Sequence, residues 1–375
     1  MERIRFDQIA KECRDTFRGS LIGIPIVGLE HIEPYDMLLK NWDINVDTTF
    51  TKQFRKGQIL FGRRRAYQHK ACVATCDGIC SGDITLIEPI EGMVYPDLLP
   101  FIVQNDDFFE HAIKGSNGAL SPRVKWEHMA NFEVNLPSLD EQKVLAEKLW
   151  AAYEVKQSYL KMIEATLEMV KSHFIEMFVR SEKTKPLSDF IDVSFPGEWG
   201  QEDKTGDGVR VIRTTNFTNT GKINLADVVT RDIDQAKVEK KKLKKGDIIL
   251  ERSGGTNENP VGRVVYFDEE GIFLFNNFTQ LLRCKDDVNP IYIFYSLFNY
   301  YQTNKNTIRS MGNKTTGIQN LKMDQYWQIP IADIPVERQN AFEAIYHQAD
   351  KSISELRKSI DAIDKVIKSL INENL

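Results

Sequence analysis

Two stretches of this chain carry cations and amides without a single acid. Between Phe61 and Thr75, Arg63, Arg64, Arg65 and Lys70 stand among Tyr67, Gln68 and His69. From Val288 to Met323 the pattern returns, with Lys305, Arg309, Lys314 and Lys322 interleaved with Asn304, Asn306, Asn313, Gln319 and Asn320. Guanidinium and ammonium groups neutralise phosphates. Arginine can also grip guanine through two parallel hydrogen bonds, and asparagine or glutamine can do the same with adenine. These residue types point to a nucleic-acid face. Either stretch alone would pass for a solvated turn, but a solvated turn has no reason to exclude acids twice. The chain as a whole is acidic, with 49 Lys and Arg against 54 Asp and Glu and a formal charge of −5. A basic face is therefore local, and indiscriminate coating of nucleic acid is disfavoured.

The residue patterns of common catalysts are missing. Asn259-Pro260-Val261 and Asn289-Pro290-Ile291 fall short of the Asn/Asp-Pro-Pro-aromatic run expected of an amino-methyltransferase. GNKTTG, residues 312–317, is not a GxxxxGK[ST] phosphate loop. The histidines at 31, 69, 111, 128, 173 and 347 form no HExxH pair for zinc. Glu202-Asp203-Lys204 has the composition of a nuclease triplet but sits in a glycine-rich loop. Cys72, Cys76 and Cys80 recur every four residues in ACVATCDGIC without a fourth ligand, and their Ala, Val and Ile neighbours read as buried strand. No metal is expected in this chain. Five cysteines, an odd number, fit reduced thiols. MERIRFDQIAKECRD lacks the apolar centre of a secretory signal, and no run of eighteen apolar residues occurs, so a cytoplasmic protein with no membrane partner is expected.

To work on one ligand these residues need a frame, and the sequence supplies it twice. LPSLDEQKVLAEKL, from Leu136, resembles DIPVERQNAFEAIY, from Asp333. Placing Gln142 on Gln339 sets a shift of 197 residues that continues ungapped to the C-terminus and puts Ile163 on Ile360 and Lys171 on Lys368. Phe342, Tyr346, Ala349, Ile353, Leu356, Ile360, Ile363, Ile367 and Leu370 alternate steps of four and three, a heptad seam. Leu145, Leu149, Ala152, Leu160, Ile163, Leu167, Val170 and Phe174 keep such a seam with one extra step near Lys156. Neither segment contains proline or glycine, so each predicts a helix of roughly 35 to 40 residues, about 55 Å long. RKGQILF (55–61) echoes KKGDIIL (244–250), FDQIA (6–10) echoes LSDFI (187–191), and GALSPRVKWEHMANFEV (118–134) echoes GNKTTGIQNLKMDQYWQI (312–329).

The expected fold is α+β: two similar mixed α/β domains separated by two long helices that form an antiparallel coiled coil, with pseudo-twofold symmetry. The boundaries fall at 1–138 for the first domain, 139–180 for the first helix, 181–333 for the second domain and 334–375 for the second helix. Two such heads would stand more than one ~34 Å turn of B-DNA apart. They would read two short sequences separated by bases left uninspected.

This order of parts, the helix starts LPSLDEQ (136–142) and IPVERQ (334–339), the Lys-Gly-x-Ile-Leu/Ile strands and FGRRRAYQHKACVATCDGICSGD (61–83) resemble the specificity subunit of type I restriction-modification systems. The resemblance spans essentially the whole chain. It implies two target recognition domains, each reading half of a bipartite double-stranded DNA site, and paired helices that serve as ruler and as docking surface for two methyltransferase subunits. It also implies restriction/translocase subunits as partners. The chain itself would be non-catalytic and without cofactor, the partners using S-adenosylmethionine, ATP and Mg. Residues expected on the DNA side are Arg63, Arg64, Arg65, Tyr67, Gln68, Lys70, Arg123 and Lys125 in the first domain. In the second they are Arg252, Ser253, Asn257, Lys314, Thr315, Thr316, Gln319 and Asn320. Glu141, Gln142, Arg338 and Gln339 are expected at the docking surface, with Arg338 a departure from the Glu-Gln pair at the first helix. Two other readings compete: the recognition subunit of a related, type IIB-like system whose partner both methylates and cleaves, and a coiled-coil scaffold that binds no DNA.

Overall fold

Lys56-Gly57 and Lys245-Gly246 recur because each leads into a central strand through a left-handed residue. Gly57 has φ 90° and Gly246 φ 92°, a region that residues with a Cβ rarely adopt. The structure, a computed structural model, describes residues 2–116, 122–179, 183–256, 258–315 and 318–375, the side chains of Glu2, Lys314 and Thr315 excepted.

The long helices run from Leu139 to Phe174, continued by a π-helical turn to Val179, and from Val336 to Asn374. By its contacts the chain divides inside these helices and not at their starts: one unit holds Met1–Lys161 with Leu356–Leu375, the other Met162–Glu355.

In the first unit, β1 (Glu2–Arg5) pairs antiparallel with the strand Glu133–Leu136, β9, which leads into the first long helix. A four-stranded antiparallel sheet has the order β2 (Ala10–Cys13), β8 (Ile84–Pro89), β5 (Ile59–Gly62), β6 (Ala71–Val73). A three-stranded sheet sets β3 (Ile26–Val27) parallel to β7 (Gly78–Cys80), with β4 (Lys52–Phe54) on the other side. Strand β5 is buried throughout, which its unbroken Ile-Leu-Phe run requires. Phe6, Phe61, Phe108 and Phe109 fill the core, joined by Leu145, Leu149 and Tyr153 of the first long helix and Ile371 of the second. The two helix segments run beside each other here, with Lys156 Nζ 2.6 Å from Asp364.

The second unit repeats the plan. β10 (Thr184–Pro186) pairs with β22 (Pro330–Ala332), and the four-stranded sheet is β11 (Ile191–Val193), β19 (Thr279–Cys284), β15 (Ile248–Glu251), β17 (Val264–Tyr266). A second sheet has the order β12 (Gln201–Glu202), β14 (Val229–Asp232), β13 (Val209–Ile212), β18 (Phe273–Phe275), its last pair parallel. A three-stranded sheet of β16 (Ser253–Gly254), β21 (Ile318–Leu321) and β20 (Gly312–Thr315) is added. Phe174, Phe178, Tyr292, Tyr295 and Phe342 build an aromatic core, with ring centroids 4.8 Å apart for Phe178 and Tyr292 and 5.1 Å for Tyr295 and Phe342.

The expected seam needs one correction. Leu160 and Leu167 are 37% and 40% exposed, while Tyr153, Ile163, Val170 and Phe174 are buried. Lys156 occupies the seam to reach Asp364, and no side chain of this helix between Tyr153 and Ile163 is buried, the row resuming at Ile163, Val170 and Phe174. The cysteines at 72 and 80 are buried on strands β6 and β7, and burial pushes the Cys80 thiol up to about 12.

Equivalent slots of the two units carry different chemistry. Gln58 Nε2 donates to Glu88 Oε2 at 3.0 Å in the first, where the second sets Asp247 against Arg283 at 2.6 Å. The hydrogen bond and charge of Lys11, aided by Gln58, pull the Glu88 carboxyl from its ordinary 4.5 down to about 2. A depressed carboxyl stabilises the fold above its unfolded pKa and loses that contribution as pH falls through the folded one. Glu88→Gln is therefore expected to flatten stability between about pH 4.5 and 2, read as the pH dependence of the urea midpoint; an unchanged slope would contradict the assignment.

Candidate nucleic-acid interface

Beyond Gly62 the chain leaves β5 and meets two other segments. Arg64 forms an isolated antiparallel bridge with Arg123. Val124 N–H donates to the Arg63 carbonyl at 2.8 Å, Arg65 N–H to Pro122 at 3.0 Å, and Arg63 N–H to the Asp83 carbonyl at 2.9 Å. This three-way junction brings Arg63, Arg64, Arg65 and Arg123 together, with Lys125 two residues on and exposed.

A short turn then folds back to β6. Arg65 and His69 flank a single 3-10 turn, Ala66–Gln68, and both are left-handed at φ 56° and 51°. Tyr35, also left-handed at φ 61°, stacks on His69 at 4.8 Å, and its N–H donates to the His69 carbonyl. Left-handed backbone at bulky residues costs about 1–3 kcal/mol each and concentrates at functional sites. Buried Ala66 anchors the turn, and Tyr67 at its tip is 55% exposed.

Lys70 is a correction. Its Nζ donates to the Leu29 carbonyl at 2.7 Å, so this cation closes the turn from inside and does not reach the face. Asp83 is the residue that sequence inspection missed. Its carboxylate takes Arg123 Nε at 2.7 Å and lies 3.4 Å from Arg64 Nη1. Burial would raise the Asp83 carboxyl, but the hydrogen bond and charge of Arg123 together with Arg64 outweigh burial and hold it below the usual range. The stretch that is acid-free in sequence is not acid-free in space.

The second unit builds the same junction. Ser253 lies opposite Asn320 in the ladder between β16 and β21. Leu321 N–H donates to the Arg252 carbonyl at 2.8 Å, and Arg252 N–H to the Phe278 carbonyl at 2.9 Å. Arg252, Leu321 and Phe278 thus stand where Arg63, Val124 and Asp83 stand, and the 197-residue shift that places Gln142 on Gln339 also places Arg123 on Asn320. The side chains differ. Ser253 is buried and its Oγ donates to Asn320 Oδ1 at 2.7 Å. Gln319 is buried with Oε1 unpartnered, while Phe278 and Ile318 are 40% and 43% exposed. Ser253 and Gln319 are thus less accessible than expected, because the strand pairing turns both inward. Behind them buried Glu251 holds Arg263 at 2.7 Å. Asn257 and Thr316 lie outside the described residues. Lys314 and Thr315 are described in their backbone alone, Lys314 opposite Gln319.

The four residues expected at the docking surface all have internal work. Gln142 is buried; its Oε1 accepts from Tyr95 N–H at 2.8 Å and its Nε2 donates to Pro137 at 2.9 Å. Gln339 repeats this with Asn289 N–H at 2.9 Å and Ile334 at 2.7 Å. Both pin the start of a long helix to the neighbouring segment, and neither can meet a partner. Glu141 braces the start of its helix by accepting from Ser138 N–H and Oγ at 2.9 and 2.7 Å, the Glu-to-N-cap half of a capping box. Those bonds lower its pKa. Arg338 donates to the Met177 carbonyl at 2.8 Å. These two remain exposed.

Among the described residues no group of three His, Cys, Asp or Glu could hold a metal ion, and no helix is long and apolar enough to cross a membrane. Asp203 of the Glu-Asp-Lys triplet braces its loop by accepting from Gly206 and Gly208 N–H at 2.8 and 2.9 Å.

Comparison with known proteins agrees with this geometry. The type I restriction modification DNA specificity domain matches residues 183–364. A protein of Methanocaldococcus jannaschii assigned as the type I restriction enzyme MjaX specificity subunit is 23% identical over 194 residues, 51% of this chain and 44% of that protein. The match thus spans less than half of that relative's length. A solved chain from work on complex assembly and conformational transition of the type I R-M system gives a TM-score of 0.56 at 15% identity, covering 100% of this chain and 97% of its own. The type I restriction-modification S subunit from M. genitalium gives 0.55 at 11% identity, covering 99% and 94%. At these identities the structures speak to the fold alone, the α+β fold of S subunits. Over residues 183–364 the chain carries a type I restriction modification DNA specificity domain, and the relatives that it resembles are specificity subunits of type I systems.

Proposed function

We propose that this chain is the non-catalytic DNA-recognition subunit of a type I restriction-modification complex, each unit reading one half of a bipartite double-stranded site and the two long helices fixing the spacing. The observation that carries this reading is the repeated junction. One backbone frame occurs in both units and presents Arg64, Arg123 and Asp83 in the first, Ser253, Asn320 and Phe278 in the second. A repeated frame with exchanged side chains suits two heads that read different bases.

Two methyltransferase subunits would dock on the long helices. Exposed Glu141 and Arg338 near their starts support this, as do Val144, Val155, Met162 and Met169, between 43% and 53% exposed on the first helix. S-adenosylmethionine, ATP and Mg then belong to the methyltransferase and restriction/translocase partners. Mapping DNA methylation in cells that express the chain with its partners tests the reading. Gln319→Ala combined with Asn320→Ala is expected to abolish or alter methylation at one half-site only. Loss spread equally over both halves would overturn the assignment of one head to one half.

A further inference from the structure

We propose, resting on the DNA-recognition reading above, that Arg123 reads a guanine in one half-site and that Asp83 is the residue that positions it. Asp83 Oδ1 accepts the Nε–H of Arg123 at 2.7 Å, and its other oxygen faces Arg64. A guanidinium gripped through Nε still presents, at its far end, one N–H of each Nη directed away from the Nε–H. Among the described residues neither Nη of Arg123 has a hydrogen-bond partner. Two parallel N–H donors at that end match the O6 and N7 acceptors of guanine in the major groove.

The carboxylate also decides between base and backbone. A negative charge beside an arginine weakens its attraction for a phosphate, a full anion, more than its attraction for the partial charges of a neutral base edge. Arg123 is thus poorly placed as a phosphate clamp and well placed as a reader. Its side chain is 53% exposed, whereas that of Asp83 is 19% exposed. Asp83 is itself fixed, its N–H donating to Ser81 Oγ at 3.2 Å and its carbonyl accepting Arg63 N–H at 2.9 Å. A guanidinium held in this way loses little freedom on binding. At the equivalent places the second unit has Phe278 and Asn320, so the arginine-carboxylate arrangement belongs to one head.

Selection of bound duplexes from a randomised pool by the full chain with its partner subunits tests this. The wild-type protein is expected to enrich a two-part motif with a fixed G·C pair in one half. Arg123→Ala should enrich the same motif with that pair relaxed, its discrimination falling about tenfold or more and every other position kept. Arg123→Lys keeps the charge but not the paired donors and should relax the same pair; Asp83→Asn should relax it in part. If Arg123→Ala weakens all sequences alike and leaves the motif intact, Arg123 is a phosphate contact and the proposal falls while the recognition reading stands. Retention of full discrimination by Arg123→Lys would also overturn it. Enrichment of no motif by the wild-type protein would end both.

Discussion

Replacing Asp247 by alanine should destabilise the second unit by about 3 kcal/mol, near the lower end of the range for breaking a buried ion pair. Asp247 is 1% exposed and accepts three hydrogen bonds: from Arg283 Nε and Nη2 at 2.7 and 2.6 Å and from Lys244 N–H at 2.7 Å. Its removal strands a guanidinium that is only 24% exposed, and leaves a backbone donor without its acceptor. The lower end applies because that partial exposure lets water screen part of the charge. The equivalent change in the first unit, Gln58→Ala, should cost less, since Glu88 keeps Lys11 as a partner. Urea unfolding of the two variants side by side checks this, and equal losses would show that the ion pair adds nothing beyond a neutral hydrogen bond.

Phe342→Ala carries the other large effect, about 3–5 kcal/mol for a fully buried aromatic. Phe342 is 0% exposed, with ring centroids 5.1 Å from Tyr295, 5.3 Å from Phe174 and 5.7 Å from Phe178. It joins both long helices to the helix Pro290–Thr303 inside one unit. Hydrogen exchange should show protection lost in Met162–Glu355 and kept by the strands β2, β5 and β8. Equal loss in those strands would mean that the two contact units unfold as one. Phe342→Leu, which leaves a smaller void, should lose markedly less.

The surface pattern was legible where it is local and misleading where it is not. Arg63 to Arg65 announce a basic turn through residue type alone, and the structure gathers them with Arg123. Lys70 belongs to the same run yet points inward, because its partner is the carbonyl of Leu29, 41 residues away. Glutamine 142 and its repeat at 339 read as exposed helix-start polars. They are buried because Tyr95 and Asn289 bring backbone donors that need an acceptor, and a buried donor left unpaired is costly.

Taken alone, the sequence determined the duplication, the two long helices and the alternation of globule and helix. Those signals are periodic or repeated along the chain, and apolar spacing acts between residues three and four apart. Only the tertiary structure decided that Asp83 sits between Arg64 and Arg123, 19 and 40 residues distant, and that the same junction recurs around Ser253 and Asn320. Charge pairing and backbone hydrogen bonding are settled between segments far apart in sequence, and no local pattern records which segment will supply the partner.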